Sequence, residues 1–151
     1  MDTDNEWMKI ALNEAALAEQ KGEVPVGAIL IKNNNIIAKA HNQSILNHDA
    51  TAHAEIQLIR LAGKIEKNYR LIDSTLYVTL EPCIMCLGAI IHARIGRLVF
   101  GAYDLKIGAC VSHLDLINTN LLNHKMILTG GVLENECKQL LQSFFQAKRI
   151  S

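Results

Sequence analysis

The sequence predicts an α/β fold, a sheet covered by helices, and three observations carry that reading. From about residue 52 onward, apolar segments with helical spacing alternate with short β-branched runs, the pattern of strands joined through helices. Earlier, two β-branched runs flank Asn33-Asn34-Asn35, whose tolerance of left-handed backbone suits a hairpin turn. No repeat, low-complexity tract or Pro/Gly-rich linker divides the 151 residues, 50% of them hydrophobic. One domain over residues 1–151 is therefore expected, and at this size it should bury roughly 70% of its unfolded surface.

The elements follow in order. Thr3 and Glu6 form a capping-box pattern, after which Trp7, Ile10, Ala11, Leu17 and Ala18 recur at helical spacing until Gly22. Val26 to Lys32 and Ile36 to Ala40 read as the two hairpin strands. Next come a helix from about Ala52 to Ala62, a strand from Thr75 to Leu80, a helix from about Cys83 to Ala93, and a strand from Arg97 to Ala102. A last strand is expected at Met126 to Thr129 and a last helix from Glu134 to Lys148, separated by Gly130-Gly131. Tyr103 to Lys125 has no pattern that assigns it.

Fifteen Lys plus Arg balance fifteen Asp plus Glu. That lacks the strongly basic balance of a nonspecific nucleic-acid binder, though Lys64, Lys67, Arg70, Arg94, Arg97, Lys106, Lys148 and Arg149 could still gather into a local basic face. The acidic start, Met1 to Glu6, is unlike a signal peptide, and no apolar run approaches the ~20 residues of a membrane span. Four cysteines show no paired framework. A cytoplasmic, membrane-free protein is expected, with Cys110 and Cys137 as small buried apolar residues.

The chemistry is concentrated in His53-Ala54-Glu55 and Pro82-Cys83-Ile84-Met85-Cys86. One imidazole and two thiolates can bind zinc and leave its fourth tetrahedral position open to water, whereas a structural site would fill that position with another Cys or His. Cys83 and Cys86 share one face in the first turn of their helix, where exposed N–H groups favour thiolate, and Pro82 suits entry into that helix. His53 and Glu55 are two apart, so one of them must lie in an irregular start if both are to face one ion. Thr51 is the expected N-cap there. Glu55 is then a spare carboxylate able to move protons.

Two rivals use the same residues less completely. A thioredoxin-like redox pair leaves His53 and Glu55 unexplained and fits Ile84-Met85 poorly. A closed structural zinc site would recruit His92, His113 or His124 and leave Glu55 idle.

The order His-x-Glu, then Pro-Cys-x-x-Cys, resembles the zinc-dependent nucleobase deaminases. The likeness extends to Glu23 through Ala28, Asn42, Asp49 through Glu55, Asn68 through Asp73, Thr79 through Cys83, and Arg94 through Gly101, which together resemble the bacterial tRNA-specific adenosine deaminases over nearly the whole chain. That resemblance implies a three-layer α/β/α cytidine-deaminase-like fold with a mixed five-stranded sheet, a homodimer, one Zn2+ per chain, and conversion of adenosine to inosine at the wobble position of a tRNA anticodon loop. By position it implies His53, Cys83 and Cys86 as zinc ligands and Glu55 as proton shuttle. It also implies Asn42 and the Ala54 backbone as contacts of the flipped base, and Pro25 and Val26 as pocket wall. Asp104 and Lys106 are implied as RNA contacts, with Phe145 and Arg149 as weaker ones.

The residues also have plainer readings: Asn42 as a loop cap, Asp104 and Lys106 as loop charges, Phe144 and Phe145 as core. Its Asn-Gln-Ser glycosylation match carries no meaning in a cytosolic protein. Ala50 stands where relatives often have Pro, Tyr103 where some have Arg, and no long basic tail precedes Ser151. Two other functions use the same motif. A free-base or nucleoside deaminase of guanine or cytosine type would need a closed pocket, and a noncatalytic zinc module would not need Glu55.

Overall fold

In a computed structural model, residues 3–118 and 124–150 are described. Met1, Asp2 and Ser151, which belong to the acidic start and the tail, lie outside the described residues. So do residues 119–123 of the unassigned stretch.

Helix α1 spans Thr3–Gln20. It buries Met8, Ala11, Ala15 and Ala18, while Leu17, expected on the buried stripe, is exposed. The stripe is rotated toward the alanines because small side chains let α1 lie directly on the sheet. The contact is tightest at Gly27, where an added Cβ would sit 2.1 Å from the Ala11 carbonyl oxygen.

Strands β1 (Gly27–Lys32) and β2 (Asn35–His41) form the expected hairpin. Asn33 and Asn34 adopt φ of 52° and 61°, and Lys32 pairs with Asn35, so the turn is the two-residue, left-handed kind that asparagine tolerates. Next come α2 (Ala54–Glu66), β3 (Ser74–Leu80), α3 (Ile84–His92), β4 (Arg97–Ala102), β5 (Ile127–Thr129) and α4 (Glu134–Ile150). Two boundaries correct the sequence reading. α2 starts at Ala54 rather than Ala52, and it runs through Gly63 to end at Lys67, whose left-handed backbone (φ 53°) returns its N–H to the Gly63 carbonyl.

The sheet order is β2-β1-β3-β4-β5. β1 is antiparallel to both its neighbours, and β3, β4 and β5 are parallel, so the sheet is mixed and five-stranded as expected. α1 packs on β1, β2 and β3 and touches α4, which covers β4. α2 packs on β1 and β2 and touches α3. The core runs along β1, β3 and β4 through Ile29, Leu30, Leu76, Val78, Leu98 and Phe100, closed by Leu58, Leu87 and Ile90 from the helices. Because α2 and α3 lie together and both start near one end of the sheet, their N-termini meet. The site is built there.

Candidate active site

His53 and Cys83 occupy equivalent positions. Each is the N-cap of its helix with extended backbone (ψ 158° and 175°), and neither side chain makes a capping hydrogen bond. A Ser, Thr, Asp or Asn at an N-cap would turn back to its own helix; an imidazole and a thiol here are left to face each other across the helix ends. Thr51, expected as the cap, is instead held by Asp49, whose Oδ1 accepts from both its N–H (2.9 Å) and its hydroxyl (2.7 Å). The Ala54 N–H, one of the open donors of α2, is satisfied by Asn42 Oδ1 at 2.8 Å. That is the loop-capping role foreseen for Asn42.

His53 Nδ1 lies 3.7 Å from Cys83 Sγ and 3.4 Å from Cys86 Sγ. All three donor atoms fall within 4.8 Å of one another, a cluster able to hold a metal ion, and His92, His113 and His124 are not part of it. His124 instead meets the Ile95 carbonyl. The Cys86 thiol, then the His53 imidazole, hold the Cys83 thiol down at about 4, whereas Cys86, fully buried beside Cys83, keeps its proton. A cation among the three would favour thiolate at both. The hydrogen bond to Cys83 raises His53.

Glu55, one residue into α2, is 4% exposed. Burial pushes its carboxyl up to about 7, with the neighbouring Cys83 adding to the effect. A carboxyl balanced between its two protonation states near neutral pH can both take and return a proton.

These groups open onto a cleft of about 760 Å³. Its lining brings together Val26, Asn42, His53, Glu55, Cys83, Asp104, Lys106, Phe145 and Arg149, all named from sequence. Cys86 and Ala54 lie fully buried behind the surface. Pro25 is buried too, and the wall beside it is formed by Val24 and Val26. Phe145 is not core, being 44% exposed on the cleft, and it meets Phe144 edge to face. Cys110 and Cys137 are buried, and burial raises each thiol to about 12.

Several lining residues escaped the sequence reading. Lys138, Leu141 and Gln142 join Phe145 and Arg149 at spacings of three and four, a helical stripe along α4 that was legible as periodicity but not as a site. Tyr103, Leu105 and Ile107 come from the stretch that had no pattern. Glu81 was quoted only as part of a motif. It is buried, and although burial opposes its ionisation, hydrogen bonds from Ser112, Val111 and Asp104 outweigh that and hold its carboxyl below the usual range.

Together the fold and the site define a deaminase, and the model of the MafB19-like deaminases matches residues 2–149. A tRNA-specific adenosine deaminase of Buchnera aphidicola subsp. Baizongia pistaciae is 56% identical over 150 residues, spanning 98% of this chain and 91% of the relative. A solved chain from a study of A-to-I editing by tRNA:A34 deaminases at the wobble position superimposes with a TM-score of 0.87 at 41% identity, over 90% of this chain and 99% of that one. A guanine deaminase from Nitrosomonas europaea shares the fold, with a TM-score of 0.75 at 22% identity over 93% and 83% of the two chains. The chain belongs to the tRNA-specific adenosine deaminases.

Proposed function

We propose that this protein hydrolyses adenosine to inosine at the wobble position of a tRNA anticodon loop, as a single-domain, zinc-dependent, cytoplasmic enzyme. The observation that carries the reading is a buried carboxyl, Glu55, standing beside a His/Cys/Cys donor set without belonging to it. Zinc fits those donors: bonds of about 2.0–2.3 Å at tetrahedral angles set N and S donors roughly 3.6 Å apart, and the distances here are 3.4 and 3.7 Å. One ion per chain, held by His53, Cys83 and Cys86, would supply Lewis acidity that makes water nucleophilic at neutral pH.

The chain's own groups do the rest. Glu55 takes a proton from the attacking water and passes it to the purine ring nitrogen, then takes the second proton from the hydroxyl now on the ring carbon and delivers it to the exocyclic amine, which leaves as ammonia. The C–O bond forms as the ring nitrogen is protonated, and the bond from the ring carbon to the exocyclic nitrogen breaks in the second step. Asn42, whose Oδ1 is held by the Ala54 N–H, keeps its side-chain NH2 to orient the extruded base, with the Ala54 backbone setting its position and Val24 and Val26 along the side of the base.

The identity to tRNA-specific relatives and the exposed charge of the cleft support RNA over a free base. Lys106, Lys138 and Arg149 line it exposed, whereas of its three acids Glu55 and Glu81 are buried and Asp104 half-buried, and exposed Tyr103 and Phe145 offer faces for unstacked bases. A homodimer is part of the proposal. Buried Leu87, Ile90, Ala93 and Ile95 account for one face of the apolar stretch from Leu87 to Ile95, while Ile84, and Leu61, Ile65, Tyr69 and Ile72 in and after α2, stay exposed on the single chain. Among the described residues no helix is long and apolar enough to cross a membrane.

The test is incubation of the purified protein with an anticodon stem-loop carrying wobble adenosine and, separately, with guanine, cytosine and cytidine. Inosine and ammonia are expected from the stem-loop. Rapid turnover of guanine or cytosine without inosine would assign the site to small substrates.

A further inference from the structure

The loop after β4 forms no regular element, yet one side chain gathers it. Oε1 of Glu81 accepts a hydrogen bond from the Asp104 N–H (3.1 Å) and one from the Ser112 hydroxyl. Its Oε2 accepts from the N–H groups of Cys110 (3.1 Å), Val111 (2.9 Å) and Ser112 (3.0 Å). Four converging main-chain donors make a concave anion site, occupied here by the protein's own carboxylate, which is 2% exposed. The chain closes on it so tightly that a Cβ at Gly108 would lie 2.5 Å from Glu81 Cδ. The Ala109 N–H adds a bond to the Pro82 carbonyl at 2.9 Å. The loop is thus tied at two points to the turn that presents Cys83.

We propose that Glu81 is a positioning residue: it holds the 103–112 loop as one wall of the cleft, so that grip on the nucleotides beside the target base depends on it more than the chemical step does. The inference rests on the functional reading above, because the limb next to Asp104 carries Tyr103, Leu105, Lys106 and Ile107, all lining the cleft. The two carboxylate oxygens are not equivalent. In Glu81→Gln the amide oxygen would take the Oε2 place, keeping three N–H donors, and the NH2 would face the Asp104 N–H, donor against donor. The Ser112 hydroxyl could turn to accept. The substitution therefore releases the Asp104 limb and spares the other.

The experiment compares wild type, Glu81→Gln and Ser112→Ala for inosine formation on the wobble-adenosine stem-loop, zinc content and amide hydrogen exchange. For Glu81→Gln we expect KM to rise about tenfold while kcat changes less than about threefold, since grip on flanking nucleotides is binding shared by ground and transition states. Zinc content should stay at the wild-type level, and faster exchange should be confined to residues 103–107. Ser112→Ala, which loses one of five bonds, should raise KM by about two- to threefold with kcat unchanged, and it carries the test should Glu81→Gln fail to fold. Unchanged KM and exchange would overturn the inference, as would kcat and zinc content falling in step with KM. Absence of inosine from the wild type would overturn the functional reading alone; exchange at residues 103–107 would still decide whether Glu81 holds the wall.

Discussion

Glu55 sits two residues past an N-cap histidine, and its surroundings decide its work: four per cent exposed, raised to about 7 by burial, and outside the metal-donor set. Glu55→Ala should therefore keep its zinc and lose turnover by at least about 10²-fold, the usual scale for removing a general acid-base group. Metal analysis beside the inosine assay checks it, and loss of zinc from a folded variant would make Glu55 a ligand instead. Cys86→Ala should behave oppositely, losing metal and much of its solubility, because a buried ligand also contributes folding energy. At this scale the donor set was legible because chemistry restricts it to few residue types at tight spacing. His53 and Glu55, two apart, implied an irregular helix start, and the extended backbone of His53 supplies it. Thr51 misled because N-cap preference describes helices whose cap must serve the helix; here the cap serves the site, and Asn42 supplies the missing acceptor.

Among the elements, α1 is joined to two strands by one carboxylate and to a third through the arginine that the carboxylate holds. Asp4 Oδ1 accepts from the Tyr77 hydroxyl of β3 (2.6 Å) and from Arg97 of β4 (2.9 Å), Oδ2 accepts from Arg97 at 2.7 Å, and Arg97 also donates to Thr129 of β5 at 3.0 Å. The Arg97 hydrogen bonds hold the Asp4 carboxyl below its usual range. A group whose folded pKa is depressed contributes stability above its unfolded pKa, about 3.9, and loses it as pH falls through the folded value. Asp4→Asn should cost about 1–2 kcal/mol at pH 7, a figure discounted for partial exposure. The gap to wild type should close as pH drops below about 4, and denaturant melts at pH 7 and pH 3 measure both. Periodicity located all nine elements among the described residues, since alternation and helical spacing are imposed by the sheet and its helices. What it could not reach was the 103–118 loop, which is held by turns of its own and, at residues 104 and 110–112, by main-chain groups bonding a distant carboxylate, Glu81. Main-chain donors leave no mark in residue type. Glu23 repeats the device in the loop after β2, accepting from the Ile45 and Leu46 N–H groups at 3.1 and 2.8 Å.

For the whole molecule, zero net charge is compatible with the proposed RNA substrate because three exposed cations, Lys106, Lys138 and Arg149, line one cleft whose acids are buried or half-buried. Binding of the stem-loop should weaken with salt at a log–log slope of roughly −0.7 per phosphate contacted, and Lys106→Ala should shrink that slope by about one contact. Asn42→Ala should instead damage turnover more than salt dependence, since the proposed role of its amide is to hold the base and not the phosphates. Light scattering at micromolar concentration should give the mass of two chains, and a monomer would count against the homodimer. The resemblance supplied the three-layer mixed sheet, which alternation alone left as a sheet covered by helices, because strand order depends on long-range pairing that local pattern does not encode. The measurement that tests the central claim most directly is mass spectrometry of the anticodon stem-loop after incubation with zinc-loaded wild type and with zinc-loaded Glu55→Ala. The account predicts conversion of the wobble adenosine to inosine with one ammonia released per event by the wild type, and conversion slower by at least about 10²-fold with the variant. Inosine formed equally by both proteins, or unchanged adenosine with the zinc-loaded wild type, would contradict it.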